Sequence, residues 1–301
     1  MDDKEKIEEY RKLHPSKEGE DIKIFPSHVL PESRILKKNK KYSIIFPTRE
    51  RPILLRSLLE SLAVNTVNTE DIEVLIAIDN DDKTDYKFLE EYDFVQNFRV
   101  QQSMNFSEDY YNYLAKRSSG NWIITANDDC RFETRSWDVI AFDLLKKRPS
   151  TIFGWIEDGL GMYRARGQGD YCCFPLQGRG GYEALGFIFP ARIPTWGADI
   201  WAAGIYKQIG SFIRLPITIK HYCHHNATRV QDEVSKRISR NQVNYSTKSI
   251  RSELEALLNA LNKPKEEIEI MATKLPEGLP KWNSAHSFIN TKHRKRLIMS
   301  A

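Results

Sequence analysis

Long apolar runs alternate with helical stripes of leucine through the first half of the chain. Residues 42–48 and 72–79 are almost continuously apolar, which is typical of strands buried on both faces. Between these runs, leucines recur at helical spacing: Leu54, Leu55, Leu58, Leu59 and Leu62. The same patterns predict strands at 98–101 and 121–126, and helices at 106–117 and 136–147. This alternation with short connections predicts right-handed crossovers and a parallel sheet covered on both faces.

Glycine and arginine interrupt the apolar pattern in the second half of the chain. Glycines are dense between residues 154 and 181, which predicts turns and loops of the kind that often hold substrates. The patterns predict strands at 151–155, 185–190 and 212–222, and helices at 196–210, 229–240, 248–261 and 264–273. We therefore predict an α/β fold, with a mixed, mostly parallel sheet flanked by helices and a helical C-terminal appendage.

Composition places the chain among ordinary globular proteins. It has 301 residues, of which 41% are hydrophobic and 29% charged. No apolar run approaches the roughly 18 residues of a transmembrane helix. The first residues are charged and contain no apolar signal core, so export is not expected. The four cysteines lack a CxxC spacing, which disfavours a thiolate zinc site and suits a reducing, cytoplasmic location.

The net charge of +4 is unevenly distributed along the chain. Residues 229–301 contain 14 Lys and Arg against 8 Asp and Glu, whereas residues 1–228 contain 31 against 33. A basic C-terminal region favours a polyanionic partner. The alternative interpretation is a set of solvated helix faces, which have the same composition.

Acidic side chains follow two of the predicted strands. Asp79 ends the strand at 72–79, and Asn127, Asp128 and Asp129 follow the strand at 121–126. The carboxyl ends of parallel strands meet at one edge of a sheet, where open α/β folds bind ligands. Adjacent carboxylates there favour a divalent cation carrying a diphosphate, although a simple polar turn has the same composition. Neither GxGxxG nor GxxxxGK occurs at these turns, so dinucleotide and P-loop binding are not indicated.

In this order and spacing, residues 42–226 resemble the GT-A nucleotide-sugar glycosyltransferases, in particular the large inverting group related to spore-coat and cellulose synthases. The resemblance depends on these residues: Pro47, Thr48 and Arg49 after the first strand, Asp79 and Asp81 after the second, Asn112 and Ala115 in a helix, and Asn127-Asp128-Asp129 in place of the Asp-X-Asp motif. The chain departs from the family at the first Asp of that motif, where it has Ala126 or Asn127.

The resemblance implies a Rossmann-like GT-A domain at 41–228, between a surface arm at 1–40 and a basic helical extension at 229–301. Within that domain, residues 41–147 would form the nucleotide-binding half and 148–228 the acceptor half. Nucleotide contacts are implied for Pro47, Thr48, Arg49, Asp79, Asp81, Asn127 and Asp128.

The resemblance also implies roles in chemistry. Asp129 would bind Mn²⁺ or Mg²⁺, joined by His221 or His224, for which a buried structural histidine is the alternative. Asp199 would be the general base, or alternatively a helix N-cap. Other candidate bases are Glu157 and Asp158. Acceptor contacts are predicted for Trp155, Arg179 and Trp196, with core packing the alternative for the tryptophans and a solvated loop cation for the arginine.

The resemblance, together with these residues, implies a metal-dependent enzyme that moves a sugar from a nucleotide diphosphate sugar, first of all a UDP-sugar, to an acceptor hydroxyl with inversion. The acceptor is expected to be a glycan, a lipid-linked glycan or a protein. An alternative is a hydroxymethylated base of phage-type DNA, approached by the basic C-terminal region. A nucleotidyltransferase is disfavoured because residues 48–52 contain no glycine. A non-catalytic binding module is a further alternative.

Overall fold

The computed structural model describes residues 40–158, 172–195, 197–221 and 247–262. The strands are β1 (Tyr42–Thr48), β2 (Ile72–Asp79), β3 (Val95–Val100), β4 (Trp122–Thr125), β5 (Cys130–Phe132), β6 (Phe153–Glu157), β7 (Leu176–Gly178) and β8 (Phe212–His221). The α-helices are α1 (Pro52–Asn65), α2 (Tyr113–Arg117), α3 (Trp137–Leu145), α4 (Arg179–Leu185), α5 (Ala198–Gln208) and α6 (Thr247–Ala260). Short 3-10 helices span Thr69–Asp71 and Lys87–Glu91, and a π-helical turn spans Ser107–Asn112.

The eight strands form one sheet in the order β3-β2-β1-β4-β7-β6-β8-β5. From β1 the chain moves outward through β2 and β3, then returns to the other side of β1 as β4, all parallel. Strand β7 runs antiparallel to β4 and β6, and β5 runs antiparallel to β8. The strand order therefore reverses between β1 and β4, and the carboxyl ends at such a point are where open sheets bind ligands.

The continuous apolar runs are explained by two hydrophobic cores, one on each face of the sheet. Successive residues of β1 and β2 point to opposite faces. The first core contains Ile44, Val74 and Ile124 together with the buried leucines of α1. The second core contains Ile45, Leu75 and Ile123 together with residues of α2, α5 and α6. The predicted fold class, a mostly parallel sheet between helices, is confirmed.

The strand predicted at 185–190 is wrong, because α4 ends at Leu185 and the residues after it are irregular. Side chains satisfy the backbone there in place of a neighbouring strand. Asn112 Oδ1 accepts from Ile188 N at 2.9 Å, and Asn112 Nδ2 donates to Phe189 O at 2.8 Å. Gln177 Nε2 donates to Ile188 O at 3.1 Å. A residue implied by the family resemblance, Asn112, therefore positions this segment.

The helix predicted at 248–261 is α6, and it packs on the domain. Its leucines, Leu254 and Leu257 among them, lie in the second core. Glu253 Oε2 accepts from Trp201 Nε1 at 2.8 Å and from Arg192 Nη2 at 2.9 Å. The predicted arm at 1–40, apart from Lys40, and the helices predicted at 229–240 and 264–273 lie outside the described residues, and the division into domains stays a prediction. Among the described helices, none has the length and apolar character needed to cross a membrane.

Candidate active site

The carboxyl ends of β2, β1 and β4 place the predicted acidic residues along one edge of the sheet. Thr48 pairs with Ile78 at the ends of β1 and β2, and Asp79 is the last residue of β2. Asp128 and Asp129 follow β4 on the other side of β1. Pro47, the remaining predicted residue of β1, lies in the strand directly before Thr48. We refer to this edge as the acidic rim.

Asp128 is held on both oxygens by the loop that follows β1. Thr48 Oγ1 donates to its Oδ2 at 2.8 Å, and Arg51 Nη1 donates to its Oδ1 at 2.8 Å. Burial raises the pKa of Asp128 to about 6, against the opposing charge of Arg51, and the neighbouring carboxylate of Asp129 adds to the rise. Asp128 therefore ties the end of β4 to the end of β1. Arg51 was missed from the sequence, although its place one residue before Pro52, where α1 begins, puts it at this edge.

Asp129 meets His221 because β5 pairs with β8. The pairing sets Cys130, the residue after Asp129, opposite His221, and the Asp129 Oδ1–His221 Nε2 distance is 3.2 Å. Within the described part of the chain, this buried oxygen accepts no hydrogen bond of good geometry. Burial acts to raise the pKa of Asp129, but the charges of His221 and Arg51 outweigh it and hold the pKa below its ordinary value. Asp129 is therefore an ionised carboxylate with an oxygen available to a cation.

Asn127 completes this corner of the acidic rim. Its Nδ2 lies 3.3 Å from His221 Nε2. The Tyr111 hydroxyl lies 2.9 Å from Ala126 O and 3.0 Å from Asn127 Oδ1. The side chain of Asn127 therefore links β4 to β8, through His221, and to the π-helical turn, through Tyr111.

The protein donors at the acidic rim suit a metal ion whose remaining ligands come from a substrate. Across the described ranges, no group of three or more His, Cys, Asp and Glu side chains is arranged to hold a metal ion. Asp129 and His221 offer two ligands, and Mg²⁺ in particular is held by one or two carboxylates together with phosphate oxygens and water. The other predicted ligand, His224, lies outside the described residues. The arrangement fits a cation completed by a diphosphate and does not fit a closed protein cage.

Asp79 is also occupied on both oxygens. Tyr110 OH donates to its Oδ1 at 2.6 Å, and Arg49 Nη1 donates to its Oδ2 at 3.0 Å. Burial raises the pKa of Asp79 in spite of these two donors. Arg49 also pairs with the exposed Asp81, whose pKa it lowers. The structure thus brings together the predicted residues Arg49, Asp79 and Asp81 and adds Tyr110, which carried no recognisable signal in the sequence.

The loop after β1 is held in place by Asp82, which is buried. Its carboxylate accepts from Glu50 N at 2.9 Å, from Thr84 N at 2.9 Å and from Tyr86 OH at 2.7 Å. Glu50 has a φ of 54°, a left-handed conformation that the bond to Asp82 helps to hold. Because Glu50 lies between Arg49 and Arg51, this single carboxylate positions both arginines.

Asp199 lies in the first turn of α5, which begins after Gly197 at a φ of 90°. Gly197 is the N-cap, so the N-cap interpretation of Asp199 is wrong; its Oδ1 accepts from Ile200 N at 2.9 Å within the turn. Burial raises the pKa of Asp199 to about 6; the nearby Asp158 adds to the rise and His221 opposes it. The charges of His221 and Asp158 therefore both act on the partly buried Asp199.

Asp158, an alternative base, follows β6 and is buried beside the same histidine. Its backbone oxygen accepts from His221 N at 3.2 Å, and its Oδ2 accepts from the Cys173 thiol at 3.4 Å. Burial raises the pKa of Cys173 to about 12, so this thiol stays protonated as a donor. The Asp158 side chain therefore accepts a hydrogen bond from Cys173, which lies in another segment of the chain. Asp199 Oδ1 accepts from Ile200 N, within its own helical turn.

The predicted acceptor residues do not join this group. Arg179 donates from Nε to Gly120 O at 2.9 Å and from Nη2 to Ser118 Oγ at 3.0 Å, before β4 begins and therefore at the opposite edge of the sheet. Trp155 is buried in the second core, with the Arg214 guanidinium 4.9 Å from its ring centre. Trp196 lies outside the described residues. We therefore leave these residues out of the proposed site.

No family model matches this chain, and no curated protein matches it in sequence. Its structure is similar to that of the mannosyltransferase PcManGT from Pyrobaculum calidifontis in complex with GDP-Man and Mn²⁺, at 13% identity over 98% of this chain and 87% of that chain, with a TM-score of 0.51. It is also similar to TarS 1–349 of S. aureus in complex with UDP-GlcNAc, at 13% identity over 77% and 70% of the two chains, with a TM-score of 0.53. A longer TarS chain is covered over 43% of its length, at 14% identity and a TM-score of 0.47.

At such low identity, these similarities establish the architecture and do not assign residues. The chain therefore has the GT-A-like fold of nucleotide-sugar glycosyltransferases.

Proposed function

We propose that this chain is a metal-dependent glycosyltransferase that moves a sugar from a nucleoside diphosphate sugar to an acceptor hydroxyl, with inversion. The observation that carries the proposal is the contrast between two adjacent carboxylates. Asp128 is engaged on both oxygens by Thr48 and Arg51, whereas Asp129 keeps a buried oxygen, 3.2 Å from His221 Nε2, that accepts no hydrogen bond of good geometry among the described residues. Such an oxygen, at the switch point of the sheet, suits a cation.

Asp129 and His221 would hold Mn²⁺ or Mg²⁺. When bound, this ion neutralises the charge that develops on the departing diphosphate. The protein's part is to orient Asp129, which the His221 contact and the anchored Asp128 both support.

The nucleotide would lie across the acidic rim from β4 to β2. The ends of these strands are separated by β1, and so by two strand spacings, about 10 Å. With the diphosphate at Asp129, the base would reach Asp79 and Arg49. The bonds of Asp82 and Asp128 hold the intervening loop, with Thr48 and Arg51, in one conformation before any ligand arrives.

Asp199 would accept the proton of the acceptor hydroxyl. A general base works best with a pKa near the operating pH, and burial raises the pKa of Asp199 to about 6. At neutral pH the carboxylate is then ionised, yet more basic than an exposed aspartate.

The proposal is tested by nucleotide release from UDP-GlcNAc, UDP-glucose and GDP-mannose with Mn²⁺. Asp129→Ala should lower the rate by about 100-fold or more, since a metal ion supplies several kcal/mol of charge stabilisation. It should also abolish Mn²⁺ binding measured by calorimetry in the presence of UDP or GDP. Asp143→Ala is the matched control, because Asp143 is an exposed aspartate on α3. An Asp129→Ala protein that releases nucleotide as fast as the parent would refute the metal assignment.

A further inference from the structure

Tyr110 is a buried tyrosine whose hydroxyl has a defined direction of donation. Ser103 N donates to the Tyr110 oxygen at 2.9 Å, and a backbone N–H can only donate. The tyrosine proton is therefore directed to its other partner, Asp79 Oδ1, at 2.6 Å. Burial, with the charge of Asp79 adding to it, raises the pKa of Tyr110 far above its ordinary value, so the hydroxyl stays a donor.

Because of this bond, one oxygen of Asp79 faces the protein interior and the other faces the acidic rim. Oδ1 faces the buried hydroxyl of Tyr110. Oδ2 faces Arg49, which extends outward to the exposed Asp81. Asp79 is buried and both of its oxygens accept a hydrogen bond, so the acceptor it can offer a ligand is the second lone pair of Oδ2, next to the Arg49 guanidinium.

Uracil and guanine place different groups against such a pair. Guanine has two neighbouring donors, N1–H and the N2 amino group, and a carboxylate pairs with both when its two oxygens are available. Uracil has a single donor, N3–H, between two carbonyl acceptors. One carboxylate oxygen beside a guanidinium matches uracil and leaves one guanine donor without a partner, which is costly in a buried contact.

We propose that Tyr110 is a specificity residue, which withholds the inner oxygen of Asp79 and so makes the site prefer uridine over guanosine diphosphates. The inference rests on the proposed function, in which Asp79 contacts the base. The proposed preference for uridine also distinguishes between the two nucleotide sugars bound in the similar structures, UDP-GlcNAc and GDP-Man.

The test is calorimetric binding of UDP and of GDP, each with Mn²⁺, and it needs no acceptor. The unmodified protein should bind UDP at least about tenfold more tightly than GDP, the effect of one hydrogen bond to a charged group. Tyr110→Phe removes the donor that fixes Oδ1 in the interior, so that the carboxylate can turn both oxygens toward a base, and it should shrink that preference by about tenfold. Tyr206→Phe is the matched control, because the buried Tyr206 hydroxyl has no hydrogen-bond partner among the described residues. The ratio of UDP to GDP affinity in this variant should equal that of the unmodified protein.

The ratio of the two affinities distinguishes specificity from structure. If Tyr110→Phe weakens UDP and GDP equally, the tyrosine is only structural and the inference is overturned. Equal affinity of the unmodified protein for UDP and GDP also overturns the inference. This comparison does not require the Tyr110→Phe variant, so it can be made even if that variant does not fold. If the unmodified protein binds neither nucleotide, the proposed function fails, and the inference fails with it.

Discussion

Asp129 Oδ1 and His221 Nε2 lie 3.2 Å apart at the junction of two strands that are distant in the sequence. The antiparallel register of β5 and β8 sets this distance, since Cys130 pairs with His221 and Phe132 with Ile219. A slip of one residue would turn the histidine to the other face of the sheet. The candidate metal site therefore depends on the pairing of a three-residue strand.

We predict that His221→Asn lowers the affinity for Mn²⁺ in the presence of UDP by about 10- to 100-fold, because the site loses its nitrogen donor. Calorimetric titration of Mn²⁺ measures the change. Lys220→Met, at the partly exposed neighbouring position on β8, is the control and should bind Mn²⁺ as the parent does. Unchanged Mn²⁺ affinity in His221→Asn would leave the histidine with a structural role only.

The pH dependence of transfer should report Asp199. Because burial raises its pKa to about 6, the carboxylate becomes protonated as the pH falls through that value. We expect kcat/KM to fall about tenfold per pH unit below pH 6 and to level off above it. Steady-state rates from pH 4.5 to 8 in about half-unit steps give this profile.

Two variants identify the residue whose protonation causes the fall of kcat/KM below pH 6. Asp199→Asn should lose most of the activity at every pH. Asp158→Asn should keep most of the activity, since Asp158 Oδ2 is engaged by Cys173, and should move the inflection to a lower pH, since the charge of Asp158 adds to the raised pKa of Asp199. The opposite result would make Asp158 the base, the alternative raised from the sequence.

Arg179→Met should destabilise the protein without changing its affinity for nucleotide. The guanidinium bonds Gly120 O and Ser118 Oγ at the edge of the sheet away from the acidic rim. Losing these bonds should lower the free energy of unfolding by about 1–3 kcal/mol. Urea denaturation and UDP binding are the two measurements, with the exposed Arg148→Met as the control. A weaker affinity for UDP in Arg179→Met would return this arginine to the binding site.

Glu253→Gln should lower the free energy of unfolding by about 1–3 kcal/mol, because it removes the carboxylate that joins α6 to Arg192 and to Trp201 of α5. The loss should stay below that of a fully buried pair, since the Arg192 side chain is partly exposed. Glu255→Gln, exposed on the same helix, is the control and should unfold at the same urea concentration as the parent. Equal stability of the two variants would show that this ion pair does not anchor α6.

Much of the acidic rim was predictable because its residues follow long apolar runs. The predicted bounds of β1 and β2 are those observed. Asp79 ends β2 and Asp129 follows β4, and these two strands lie parallel to β1 on either side of it. A continuous apolar run indicates burial on both faces, and the polar residue that ends it must then lie at the edge of the sheet.

The partners of these carboxylates could not be predicted in the same way. Tyr110 and Arg51 are ordinary residues of a helical turn and a loop, and only their contacts with Asp79 and Asp128 distinguish them. Strands β5 and β7 have three residues each, too few for any periodicity to show.

The amino-acid sequence by itself determined the layered fold and the edge of the sheet at which carboxylates gather, because hydrophobic period and strand ends are local properties of a chain. Only the tertiary structure decided which carboxylate is engaged and which is available to a cation. That difference depends on Thr48, Arg51 and His221, which come from separate elements. Hydrogen bonds between distant side chains depend on position to within a few tenths of an ångström, and packing alone sets such positions.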